Sequence, residues 1–256
     1  MEQSLSGERR AASDCIIGRN AVLEALRSGR SLDSVWIAKG ERNGSIGVVR
    51  ALCRENGIPI KETDIHKLNS LGGNNHQGVM AFAACKEYAS MEDVFEKAEA
   101  SGQPPFIIVC DELEDAHNLG AVLRSAEAAG CHGVIIPKRR AVGLTSTVYK
   151  TSAGAVEYVP VVRVANITDT LKQLKKKGLW VYGLDMDGTS WCQTDLTGPI
   201  VLVVGSEGHG MSRLVKEQCD GIVSLPMQGH INSLNASVAG GIMMYEVVRQ
   251  RLNLQK

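Results

Sequence analysis

The sequence predicts an α/β protein with a mostly parallel sheet, preceded by a smaller α/β unit. Three observations carry that prediction. Short apolar runs rich in β-branched residues, such as Phe106–Cys110, Gly133–Pro137 and Ile200–Gly205, read as strands covered on both faces. Amphipathic segments separate them, as at Leu119–Ala129, where Leu119, Val122, Leu123, Ala126 and Ala129 fall on one helical stripe. The two patterns alternate along the chain, which requires helices on both sides of a sheet.

Taken in order, residues 1–14 read as a loose leader. The first unit, residues 15–85, predicts a helix at Asn20–Ser28 closed by Gly29, a strand at Ser34–Ala38 and a helix at Ile46–Asn56 stopped by Gly57. A strand at Ile58–Lys61, a polar helix around Asp64–Ser70 and a strand at Gly78–Cys85 complete it. Residues 86–104 read as a linker with acidic, helical character around Met91–Ala100, ending in Gly102-Gln-Pro-Pro. Residues 105–256 form the main domain, with strands at 106–110, 133–137, 158–162, 179–184, 200–205 and 221–226. Its helices are expected at 119–129, 145–153, 167–177, 211–219 and 233–252.

At 256 residues the chain can build a proper core. Lysine plus arginine and aspartate plus glutamate both total 28, so no global basic field announces a nucleic acid. Such a partner has to rest on local clusters, such as Arg27 with Arg30 or Lys138-Arg139-Arg140. The seven cysteines form no C-x-x-C pair, and no apolar signal stretch opens the chain. They read as reduced thiols of a cytoplasmic protein. The histidines show no metal-ligand spacing with them, which argues against a metal, and no run reaches membrane-span length.

Three blocks carry chemistry. Val201-Leu-Val-Val-Gly205-Ser206-Glu207-Gly208-His-Gly210 is a strand emptying into a glycine-rich turn. Its spacing is neither that of dinucleotide-binding folds nor that of a P-loop, which disfavours a nucleotide-dependent oxidoreductase. Glu207 suits a hydroxyl or amine partner better than a phosphate, although a plain tight turn reads equally well. Asp115-Ala-His-Asn118-Leu-Gly120 opens a helix for which Asn118 is placed as N-cap, and Arg124 lies opposite its apolar stripe. Such an arginine is either simply exposed or a phosphate binder. Asn232-Ser233-Leu234-Asn235-Ala236-Ser237 holds more polar groups than one helix cap requires, at a strand-to-helix junction where ligands settle in α/β sheets.

Together, Asn118-x-Gly120-x-x-x-Arg124, Gly205-Ser-Glu207-Gly208-x-Gly210 and Ser233-Leu-Asn235-x-Ser237 resemble the SpoU/TrmH (SPOUT) family of RNA ribose 2′-O-methyltransferases. Ser152-Ala-Gly-Ala-x-Glu157-x-x-Pro160 and Leu225-Pro226-Met227 add to the match, which covers about residues 105–252. Gly18-Arg19-Asn20-Ala-Val and His76-Gln77-Gly78-Val look like the substrate domain of the family's 23S ribosomal RNA (RlmB-like) subgroup. The resemblance implies a C-terminal deep trefoil knot, a ribosomal-protein-like N-terminal domain that binds RNA, homodimers and S-adenosylmethionine as cofactor. It implies cofactor contacts at Gly205, Ser206, Leu225 and Leu234, with Arg124 central to catalysis and Asn118, Glu207, Ser233 and Asn235 around it. Arg19, Asn20, Arg27 and Arg30 are the candidate RNA contacts, or else an ordinary surface helix. A transfer RNA substrate and a catalytically silent RNA-binding assembly protein on the same scaffold are the alternatives.

Overall fold

A computed structural model describes residues 15–41, 44–206, 208–230 and 233–253. The chain divides into two compact units, one running to residue 87 and including 143–147, the other comprising 88–142 and the chain from 148 onward.

The first unit runs β1 (Cys15–Ile17), α1 (Arg19–Arg27), β2 (Leu32–Ala38), α2 (Ser45–Glu55), β3 (Ile60–Thr63), α3 (Ile65–Gly72) and β4 (Val79–Ala83). Its sheet order is β1-β4-β2-β3, with β2 and β3 parallel and the other pairs antiparallel. Period-2 alternation in β2 sends Val35 and Ile37 into a core with Val22, Leu26, Ile46 and Val49 of the two longer helices. On the other face, Ala38 packs with Leu68 of α3 and Met80 of β4. Strand β1 was not expected, because three residues are too few for alternation to register.

The second unit begins with α4 (Met91–Ser101), so the expected linker at 86–104 is instead an element of this unit. Ser90 and Asp93 form a reciprocal capping box at its start, and Val94 is fully buried in the core. A short acidic helix resembles a linker in sequence, because its polar residues outnumber the two, Val94 and Ala98, that it buries. Next come β5 (Phe106–Cys110), α5 (Ala116–Ala128), β6 (Gly133–Pro137), α6 (Ser146–Thr151), β7 (Val161–Val164) and α7 (Ile167–Lys176). The chain ends with β8 (Trp180–Ser190), β9 (Ile200–Val204), α8 (Arg213–Lys216), β10 (Gly221–Ser224) and α9 (Ala236–Arg251).

Six parallel strands form one sheet in the order β10-β8-β9-β5-β6-β7. All five residues of β5 and of β9 are buried. Ile107, Val109, Val201 and Val203 pack against Leu171 and Leu174 of α7. Where the chain leaves β7 for β8, the winding direction reverses, and β9 closes the gap beside β5. In open parallel sheets the carboxyl ends at such a reversal form a ligand crevice. Several boundaries depart from expectation, three of them around β10. Strand β8 runs on to Ser190 because its end pairs with β10. The strand expected at 221–226 stops at Ser224, and the helix expected at 211–219 shrinks to Arg213–Lys216.

Candidate active site

Two close approaches shape the crevice at the carboxyl ends of β5 and β9. A Cβ on Gly205, just past β9, would lie 2.2 Å from the carbonyl carbon of Gly210, so the turn admits glycine alone. Ser206 and Gly210 close that turn with paired backbone hydrogen bonds of 3.0 and 2.9 Å. Asp111, buried just past β5, receives the backbone N–H of Ser212 on its Oδ2 at 2.7 Å and donates its own N–H to Val204 O at 2.8 Å. That carboxylate ties the two strand ends to the exit of the glycine turn. The sequence reading passed over it, since an aspartate at a strand end carries no periodic signal.

Beside this turn lies a cavity of about 370 Å³, within the range of small-molecule sites. It is lined by Leu184, Asp185 and Met186 from β8, by Gly205, Ser206, Gly208, His209 and Gly210 from the turn, and by Leu225, Met227, Ser233, Leu234, Ala236 and Ala239. The four expected cofactor positions, Gly205, Ser206, Leu225 and Leu234, therefore share one wall system with Ser233. Their backbones and apolar side chains, with one carboxylate at Asp185, suit a flat heterocycle joined to a polar, positively charged tail. Burial pushes the Asp185 carboxyl up. Its hydrogen bond from Lys216 at 2.8 Å and the Met186 N–H at 2.7 Å outweigh that and hold it below the usual carboxylate range.

The expected cap of α5 is corrected by the structure. Asp115, not Asn118, caps it, receiving the His117 N–H at 2.8 Å. Asn118 sits in the first turn at 8% exposure, where its Oδ1 accepts from Asn235 Nδ2 at 2.9 Å and from Ser237 Oγ at 3.3 Å. Asn235 is itself the N-cap of α9. Its Oδ1 accepts from the backbone N–H groups of Ser237 and Val238 at 2.9 and 3.3 Å, and from Ser237 Oγ at 2.6 Å. Two polar groups of this block are thereby accounted for: the Asn235 amide caps a helix and, with Ser237, locks a second helix to it across 117 residues, while Asn232 lies outside the described residues. Ser237 belongs to this cluster, although the sequence reading gave it no role.

Arg124 is exposed on α5, and it makes no hydrogen bond or ion pair among the described residues. It does not line the cavity. Glu207, expected in the same constellation, lies outside the described residues. The structure thus joins Asn118, Asn235 and Ser237 directly and sets Ser233, Leu234 and the glycine turn around the adjoining cavity.

The expected RNA contacts of the first unit lie at the two ends of one helix. Arg19 and Asn20 open α1, whereas Arg27 and Arg30 lie at and beyond its far end, about 13 Å away along a nine-residue helix. Arg19 is spent internally, pairing with Glu41 at 3.1 Å and donating through Nε to Gln77 O at 2.8 Å. Arg27 pairs with Glu24 at 3.0 Å, while Asn20 and Arg30 are exposed. No helix among the described residues is long and apolar enough to cross a membrane, and no group of His, Cys, Asp and Glu among them could hold a metal ion.

The model of the SpoU rRNA Methylase family matches residues 105–245, and that for RNA 2′-O ribose methyltransferase substrate binding matches residues 15–89. A Bacillus subtilis (strain 168) protein, YacO, assigned by name to the TrmH family of tRNA/rRNA methyltransferases, is 48% identical over 93% of this chain and 96% of its own. Among solved structures, the SpoU methyltransferase AviRb from Streptomyces viridochromogenes, in complex with AdoMet, has a TM-score of 0.60. It shares 23% identity over 93% of this chain and 90% of its own, a likeness of fold. An RNA 2′-O ribose methyltransferase gives a TM-score of 0.53 at 28% identity, over 93% of this chain and 88% of that one. The chain belongs to the SpoU/TrmH family of RNA ribose 2′-O-methyltransferases, enzymes whose methyl donor is S-adenosylmethionine.

Proposed function

We propose that this protein methylates the ribose 2′-hydroxyl of one guanosine in 23S ribosomal RNA, in the cytoplasm and as a homodimer. The carrying observation is the Asn118–Asn235 hydrogen bond, which fastens the helix bearing Arg124 beside a cavity of cofactor size. The trefoil threading expected of the family belongs to this reading, as does an RNA-binding role for residues 15–85. The substrate-binding model matched over 15–89 supports that role.

S-Adenosylmethionine, when bound, supplies an electrophilic methyl group on a sulfonium. Gly205, Ser206, Leu225 and Leu234 would hold it, with Ser233 finishing the wall. The apolar side chains of Leu225 and Leu234 exclude water from the transfer. A guanidinium is permanently charged and has no acceptor, so Arg124 acts as a donor. It grips the phosphate next to the target ribose and holds the 2′-oxygen in line, and that phosphate receives the hydroxyl proton. Asn118 and Asn235 position α5 for this task, and Glu207 is assigned to the same constellation.

Two measurements test the reading. Arg124→Ala is expected to lower single-turnover methylation by roughly a hundredfold or more. It should leave the unfolding free energy within about 0.5 kcal/mol, because the side chain is exposed. Arg124→Lys should restore little, because an ammonium lacks the planar fork. Mapping ribose methylation in ribosomal and transfer RNA from cells with and without the protein then identifies the target. A change confined to transfer RNA would replace the ribosomal assignment.

A further inference from the structure

One face of the first unit carries an aromatic pair that the family reading leaves without a task. Trp36 on β2 and Phe82 on β4 are half-buried neighbours, with ring centroids 4.8 Å apart and planes tilted by 51°. Lys61 Nζ lies 4.7 Å from the Trp36 ring centroid, and Lys67 Nζ of α3 lies 5.4 Å from it. Both lysines are exposed, and neither forms an ion pair among the described residues. The nearby acids are otherwise engaged. Glu62 alternates to the opposite face of β3 and pairs with Arg50 at 2.6 Å, and Asp64 caps α3 through the His66 N–H at 2.8 Å. What remains is a half-buried indole whose ring is covered by two lysines that have no acidic partner among the described residues.

Resting on the RNA-methyltransferase reading above, we propose that this face is a binding site for an unpaired RNA base. The base stacks on Trp36 against the edge of Phe82, while Lys61 and Lys67 swing from the ring to the flanking phosphates. Stacking of a base on an aromatic face is stronger than a solvent-exposed lysine–ring contact, so the exchange is downhill, and each lysine gains a phosphate. A duplex keeps its bases stacked inside and offers none to the indole. The site thus selects single-stranded loops, bulges or ends, and it lies apart from the arginines of α1.

The test uses the full chain. Of the three tryptophans, Trp180 and Trp191 are replaced by phenylalanine, which leaves Trp36 as the sole indole reporter. Titration with a single-stranded oligoadenylate of roughly ten nucleotides should quench Trp36 fluorescence to saturation, and a duplex RNA of the same length should not. In Lys61→Gln/Lys67→Gln the slope of log affinity against log salt should fall by about 1.4. Read instead by the anisotropy of a dye-labelled oligoadenylate, Trp36→Leu should bind roughly tenfold more weakly, with Trp36→Phe close to wild type. Absence of quenching, equal quenching by duplex, or an unchanged salt slope would overturn the proposal. Methyl transfer by the unaltered protein is measured separately: its absence on every RNA sinks the enzymatic reading and leaves the fluorescence result standing.

Discussion

The His132 ring is held to one tautomer by its two partners. Phe106 N–H donates to Nδ1 at 2.9 Å, so that nitrogen carries no proton. Nε2 faces Ser101 Oγ at 2.9 Å, and that hydroxyl donates onward to Ala98 O at 2.7 Å. Burial, with the nearby charges of Arg251 and Lys97, pushes its pKa down to about 4. An unfolded chain titrates near pH 6.5, so it binds the proton first. This contribution is full above pH 6.5 and is lost as the pH falls to about 4, on the order of 3 kcal/mol in all. Urea unfolding from pH 7 to 4 should show that decline. In His132→Asn, whose carbonyl oxygen can still accept from Phe106, the decline should flatten. The same scale shows how far single residues were legible. The cap reading of Asn118 fails: its type and place suit a cap, but Asp115 three positions earlier takes that work and frees the amide for Asn235. No local pattern names a partner 117 residues away.

Among elements, long buried strands were readable because their period is written in consecutive residues. Strands β5 and β6 begin and end where the apolar runs do. Boundaries set by tertiary partners were not readable, as with the extension of β8 toward β10 or the late start of α9. Helix α5 carries a further tertiary demand. A Cβ on Gly120 would sit 1.8 Å from Thr151 Oγ1 and 3.0 Å from the Ser152 backbone nitrogen. Gly120→Ala should therefore destabilise by about 1–3 kcal/mol through overpacking, despite alanine's better helix propensity. A shift of the urea midpoint at constant slope is the check. Because α5 bears both Asn118 and Arg124, the same variant should also slow methylation.

For the whole molecule, two units were legible from the restart of the strand–helix pattern after Pro105. The boundary between them was misplaced: α4 buries Val94 in the larger core, and residues 143–147 cluster with the smaller unit. The proposed homodimer calls on the outer face of α9. Of the small residues there, Ala236 is buried and Gly240 lies against Val204, so both turn inward. Val238, Ile242 and Tyr245 form an exposed apolar stripe at helical spacing. Burying that stripe between two copies predicts a dimer in sedimentation, and Ile242→Glu should shift it toward monomer without unfolding the chain.

The bridge from Asn118 to Asn235 also bears on the order in which the second unit assembles. Loops closed over such a span cost entropy before any contact rewards them, so this contact forms late. Until it does, α5 and the start of α9 are held to each other by packing alone, so the helix bearing Arg124 gains its lock only once the strands between them in sequence have joined the sheet.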